Sequence, residues 1–182
     1  MSKRTIPAAL LIVAFTAAAS PLAAQDGSTF LVGVLGGIGG AFDGADDTSF
    51  DHRALEVQFG VLTNDRTYAM VRAGRLSFDE ELAVGGLVEA ELEFLTVAGE
   101  YRFRQPSYDF GMYLGLGGYR LTGREPGLED VDETALGLAF GLTGDFDVTR
   151  HLSVVGEFSA HYAFLERADL YGLGLFGLAA HF

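Results

Sequence analysis

Glu157, Ser159 and His161 are each two residues apart, so on an extended chain, where side chains alternate, they project from one side. A carboxylate, a hydroxyl and an imidazole within reach of one another are the parts of an acyl-transfer site: the imidazole takes the hydroxyl proton and the carboxylate holds the ring. Same-face neighbours on a strand lie about 7 Å apart, however, and a direct hydrogen bond from Ser159 to His161 is expected to be strained. The competing role for all three is hydrogen bonding inside a packed interior.

Other reactive side chains point to less chemistry. His52, His151, His161 and His181 lack the paired spacing of a metal site, so rim or structural roles are expected, with no metal and no cofactor. Cysteine is absent, which removes disulfides and thiolate chemistry together. Gly36-Gly37-Ile38-Gly39-Gly40 suggests a phosphate loop but lacks the G-x-G-x-x-G register and a following helix; close packing in a narrow interior fits it better. Acidic residues gather in three places: Asp43, Asp46, Asp47 and Asp51; Asp79, Glu80 and Glu81; Glu125, Glu129, Asp130, Asp132 and Glu133. They would form a solvated rim or hold Ca²⁺ or Mg²⁺ weakly, since the first group misses the EF-hand spacing.

At the amino terminus Lys3 and Arg4 precede an apolar stretch from Ile6 to about Ala19, then Pro21-Leu22-Ala23-Ala24 and polar Gln25-Asp26. This is the pattern of a signal peptide over 1–24, cut after Ala24, with an uncleaved anchor as the alternative. Residues 25–182 then form one domain. With Lys3 and Arg4 removed, the 12 basic residues become 10 against 25 acidic, a charge of −15, which excludes nucleic acid as a partner. No later segment has the roughly 18 apolar residues of a spanning helix.

Period-two alternation runs through the rest, in segments of about 28–41, 53–63, 66–76, 88–104, 108–122, 134–148, 152–164 and 170–182. Each is long enough to cross a bilayer as a tilted strand. Asn64-Asp65, 104–107 and 149–151 are short connections, whereas 42–52, 77–87 and 123–133 are long and acidic, the two-ended pattern of an outer-membrane barrel.

Leu55, Val57, Phe59 and Val61 share one face, as do Leu95, Val97, Tyr101 and Phe103, and Leu138, Phe140, Leu142 and Phe146; no charge falls between them on that face. A charge facing hydrocarbon at mid-depth costs roughly 2–4 kcal/mol, so this face suits lipid. The opposite face carries Glu56, Arg72, Glu100, Arg102, Asp109, Asp145 and Glu157 among small residues. Such charges need one another or water, which a closed lumen supplies without exposing a sheet edge to lipid. The fold expected is all-β, an eight-stranded antiparallel up-and-down transmembrane β-barrel. Arg72 should pair with Glu56 or Gln58, near Glu157; Arg102 should sit lower with Glu100, Asp109 and Asp145. Locked in this way, the two arginines would fill the lumen and leave no open channel. Phe30, Tyr101, Phe103, Phe110, Phe146 and Phe182 project from the apolar face near the short turns and would form an aromatic girdle at one interface.

The final strand, Tyr171-Gly-Leu-Gly-Leu-Phe-Gly-Leu-Ala-Ala-His-Phe182, with alternating apolar residues and a terminal Phe, resembles that of small outer-membrane barrels of the OmpA-type and OmpX-like kind. Val97-Ala-Gly-Glu-Tyr-Arg-Phe103 is similar to a strand of the same superfamily. The resemblance implies export through the periplasm, insertion by the barrel-assembly machinery, and contact with outer-membrane lipids and lipopolysaccharide. It specifies no activity. A structural or surface-interaction role, without enzymatic activity, is therefore the expectation. Lipid A deacylases are similar in size and use His, Ser and a carboxylate, but with His before Ser in His-x-Ser; a lipid-modifying enzyme is the alternative. A soluble lipocalin-like binder would want its apolar face inside.

Overall fold

The computed structural model describes residues 29–42, 50–78, 84, 86–105, 108–125, 127 and 130–182. Residues 1–24, expected to be a signal peptide, and the acidic residues Asp43, Asp46, Asp47, Asp79, Glu80, Glu81 and Glu129 lie outside the described residues.

Eight strands follow in order: β1 (Phe30–Ala41), β2 (His52–Asn64), β3 (Thr67–Phe78), β4 (Val88–Arg104), β5 (Tyr108–Arg124), β6 (Asp130–Thr149), β7 (Leu152–Ala163) and β8 (Leu170–His181). Each pairs antiparallel with the next, and β8 returns to β1, so the sheet closes. The expected faces hold strand by strand: Phe158, Leu116 and Leu136 on the outside are 71%, 67% and 71% exposed, while inward residues such as Glu157 and Ser159 are buried. No helix of the described residues could cross a membrane, and crossing falls to the strands.

The third long connection is shorter than expected. β5 runs to Arg124 and β6 begins at Asp130, because alternation continues where residues turn polar on both faces. Polarity marks where a hairpin leaves lipid as well as where a strand ends. A fourth connection at the same end, between β7 and β8, carries Leu165 and Ala168 into the barrel mouth, where both are buried.

Closure depends on two glycines at the β1–β8 contact. A Cβ on Gly37 would strike the carbonyl oxygen of Gly174, and one on Gly177 would strike that of Val34. The strands coil past each other there too closely for any side chain. The lumen is packed in layers. Toward the loop end it is apolar, with Leu76, Phe78, Leu92, Leu121 and Tyr171 all buried and the Phe78 ring 4.8 Å from that of His52 and 6.4 Å from that of Tyr171. Below this layer lies the charged set of Glu56, Arg72, Glu100, Arg102, Asp145 and Glu157, each 3% exposed or less.

A closed ladder persists in mild detergent until heated, so the folded protein should migrate differently on a gel before and after boiling. Gly37→Ala should destabilise the barrel by about 1–3 kcal/mol through backbone collision, while Gly156→Ala, whose Cβ meets nothing within 4 Å, should leave the unfolding midpoint unchanged. Equal midpoints for the two variants would contradict the closure geometry.

Candidate functional site

Arg72 stands inward on β3 beside Gln58 of β2, its register partner. Its Nη1 donates to Glu56 Oε1 at 3.0 Å and to Glu157 Oε2, and its Nη2 to Glu100 Oε2 at 2.6 Å. One guanidinium therefore holds three carboxylates from three strands, and the Tyr113 ring lies beneath it, 3.8 Å from Cζ. Gln58 Nε2 donates to Glu56 Oε1 and Glu157 Oε2, both at 2.8 Å, and the Tyr113 hydroxyl donates to Glu157 Oε1 at 2.6 Å. Arg102 Nε donates to Glu100 Oε1 at 2.7 Å and its Nη1 to Asp145 Oδ2 at 2.8 Å.

Glu100 thus differs from expectation. It bridges both arginines, one oxygen to each, instead of belonging to Arg102 alone. The long Arg72 side chain reaches down the barrel past its register partner Thr96 to Glu100, four residues further along β4 on the same face. Asp109 lies beside this group as the register partner of Asp145, half-buried at the turn end, with Arg104 at 3.9 Å. His181 joins the group, 3.5 Å from Asp145 and 2.8 Å from the Ser153 hydroxyl. Tyr113 is absent from the sequence-based set because it carries no charge. The available signal was a large residue among the inward glycines of β5; across from it, a Cβ on Gly141 would meet the tyrosine ring at 2.5 Å.

The hydrolytic constellation comes out differently from its spacing. Ser159 Oγ and His161 Nε2 are 3.2 Å apart, a hydrogen bond where strain was expected, because the ring folds back along the strand. His161 Nδ1 faces the Tyr119 hydroxyl at 3.0 Å, and its ring packs 4.7 Å from that of Phe94. Glu157 points to Arg72, Gln58 and Tyr113, so no carboxylate orients the imidazole.

At the turn end Phe30, Tyr101, Phe103, Phe110, Phe146 and Phe182 are all exposed on the outer face. Phe30 stacks with Phe59 at 6.2 Å, Tyr101 meets Phe103 edge-on at 4.9 Å, and Tyr108 stacks on Phe146 at 5.9 Å. At the loop end charges replace the apolar outer residues. Arg120 grips Asp132 through two hydrogen bonds of 3.0 and 3.1 Å, and Arg124 lies 3.5 Å from both Glu89 and Asp130. Arg167 joins Glu125 at 2.8 Å to Glu133 at 3.1 Å, and the hydrogen bond from Arg167 to Glu125 leads in raising the already high pKa of the guanidinium. Glu125, Asp130, Asp132 and Glu133 of the third acidic group are therefore tied to arginines. Among the described residues no three metal-ligating side chains converge.

Known structures with this architecture are small outer-membrane barrels. The chain superposes on Neisserial surface protein A with a TM-score of 0.72 at 16% identity, covering 87% of this chain and 100% of that one. It superposes on the attachment invasion locus protein Ail of Yersinia pestis at 0.60 and 15% identity, covering 87% and 100%. A major outer membrane protein of Thermus thermophilus gives 0.61 at 14% identity, covering 85% and 100%. At these identities the likeness establishes the fold, an eight-stranded closed outer-membrane β-barrel. No protein-family model matches the chain, and no curated protein does.

Removing the central guanidinium would leave three carboxylates buried without their shared partner. Arg72→Ala should therefore destabilise the barrel by about 3–5 kcal/mol in urea unfolding. Asp109→Asn at the half-exposed mouth should change it by less than about 0.5 kcal/mol. An unchanged midpoint for Arg72→Ala would mean that the lumen solvates these carboxylates.

Proposed function

We propose that the protein is a bacterial outer-membrane barrel that works at the cell surface as a non-enzymatic interaction protein with no open pore, its loop end outside. The observation that carries this is the hairpin of β5 and β6. Pairing of β6 with β7 starts only at Gly137 and Ala163, while its pairing with β5 continues up to Asp130 and Arg124. Over Asp130–Ala135, about 20 Å of strand, β6 is paired as a strand on one side only among the described residues. A hairpin that rises above the closed part of the barrel presents the side chains of two strands to another protein, away from the lipid-committed wall. Closed transmembrane strands offer nothing comparable.

The closed interior is supported by the packing of the lumen, where the ion-pair layer lies beneath an apolar layer capped by Leu87 and Leu165. The lipid-modifying alternative rests on Ser159 and His161. Both face the lumen, away from lipid substrates, and the imidazole has a tyrosine where a hydrolase would place an acid. The acidic rim would take divalent cations only weakly, in the connections that carry Asp51 and its neighbours.

Beyond position 24 the chain has arginine and no lysine, so trypsin reports topology directly. On intact cells it should cut at Arg124 and Arg167 and spare Arg66, Arg104 and Arg150 at the turn end; cuts confined to the latter would invert the orientation. Mass spectra of membrane lipids should be the same with and without expression. Loss of an acyl chain that disappears in Ser159→Ala would replace the interaction role with an enzymatic one.

A further inference from the structure

The charges of the lumen layer do not balance. Glu56, Glu100, Asp145 and Glu157 face two guanidiniums, those of Arg72 and Arg102, and all six residues are 3% exposed or less. Four carboxylates against two cations leave two negative charges in excess, where a charge needs a partner. The hydrogen bonds locate that excess. Each of the eight carboxylate oxygens accepts a hydrogen bond or ion pair except Glu56 Oε2 and Asp145 Oδ1, both buried. Asp145 stands toward the turn end, with the His181 imidazole 3.5 Å away and 13% exposed, so its share can be met from the mouth of the barrel.

Glu56 has no such outlet. Its Oε1 and Glu157 Oε2 accept from the same two nitrogens, Gln58 Nε2 and Arg72 Nη1. Two carboxylate oxygens bracketed by one pair of donors are crowded together, and buried like charges that close do not both ionise. One of the two therefore holds a proton, which must sit on an oxygen that no donor already occupies. Both Glu157 oxygens are taken, one by Tyr113 and the other by Gln58 and Arg72. Glu56 Oε2 is not, and Thr96 Oγ1, on the register partner of Arg72, is a further buried oxygen without a partner. The other inward groups supply no missing charge. β1 and β8 present Leu31, Leu35, Leu173 and Leu175. Tyr119 donates to the Leu138 carbonyl, so its oxygen receives His161 Nδ1–H while Nε2 accepts from Ser159, which makes that imidazole neutral. His52 packs on Phe78 in the apolar layer, with exposed Asp51 at 4.0 Å. Tyr68 lies under Arg102, and Tyr171 donates to the Ala168 carbonyl.

We propose that Glu56 is a neutral carboxylic acid in the folded barrel, its proton on Oε2, so that the lumen is a proton-binding site filled as the barrel closes. Glu100, Glu157 and Asp145 are then the anions left to Arg72, Arg102 and the His181 end. The unfolded glutamate is ionised above about pH 5, so the folded barrel binds one more proton there than the unfolded chain and loses stability as pH rises.

At about pH 6.5, where exposed carboxylates are ionised, the infrared spectrum of the full chain in a detergent without ester groups should show the carbonyl band of a protonated carboxylic acid. Heavy-carbon labelling of glutamate carboxyls should shift that band, and labelling of aspartate carboxyls should not. The band should persist in Asp145→Asn and vanish in Glu56→Gln that keeps its heat-sensitive gel shift. Between about pH 5 and 6.5 the folded-to-unfolded ratio in urea should fall about tenfold per pH unit more steeply in the native chain than in Glu56→Gln. No carboxylic acid band in the native chain, a band that moves with aspartate, a band that survives in folded Glu56→Gln, or parallel pH slopes would each overturn the proposal. The labelling needs no variant, so the outcome does not depend on whether Glu56→Gln folds.

Discussion

Inside a bilayer no water is available to the peptide group, so every backbone N–H and C=O in the apolar band must find a protein partner. For this chain the condition is met only by returning β8 to β1, a pairing of the first and last strands that runs from Leu31 and His181 to Ala41 and Tyr171. The glycines at Gly37 and Gly177 permit it. Everything else follows from closure. Once the sheet is a cylinder, one side of every strand faces lipid and the other faces a space barely wider than the side chains that enter it.

That space explains why charged residues can be buried at all. Three carboxylates converge on Arg72 and two on Arg102, with Glu100 common to both, so the network is continuous across the lumen. A pair of this kind contributes little net stability by comparison with packed apolar residues, yet removing one member is costly. The network therefore acts mainly as a constraint on register. A strand shifted by one residue would turn its carboxylate or guanidinium outward into hydrocarbon, which roughly 2–4 kcal/mol per charge discourages.

The two ends of the cylinder meet different surroundings and differ accordingly. Short turns and an exposed aromatic belt that includes Phe30, Phe103, Phe146 and Phe182 occupy one end, where amphipathic rings suit an interface. The other end combines the long β5–β6 hairpin, arginine–carboxylate contacts and the Phe42–Phe50 pair laid on the outer wall. The barrel wall is committed to lipid, so the interaction role proposed above would fall to this end.

Alternation alone determined the strands and their faces, because a period of two is a local property that lipid on one side and a narrow lumen on the other both enforce. It placed β4 at 88–104 as observed, and it put Glu56, Arg72, Glu100, Arg102, Asp145 and Glu157 inside and the six girdle aromatics outside. It misjudged the 123–133 segment, since polarity reads as the end of a strand even where the strand has only left the membrane. Only the tertiary structure decided who meets whom across the lumen. Arg72 and Glu157 are 85 residues apart, and their contact depends on tilt and stagger accumulated around eight strands, which no short window of sequence encodes. The same holds for Tyr113 beneath Arg72 and for the tyrosine in place of an acid at His161.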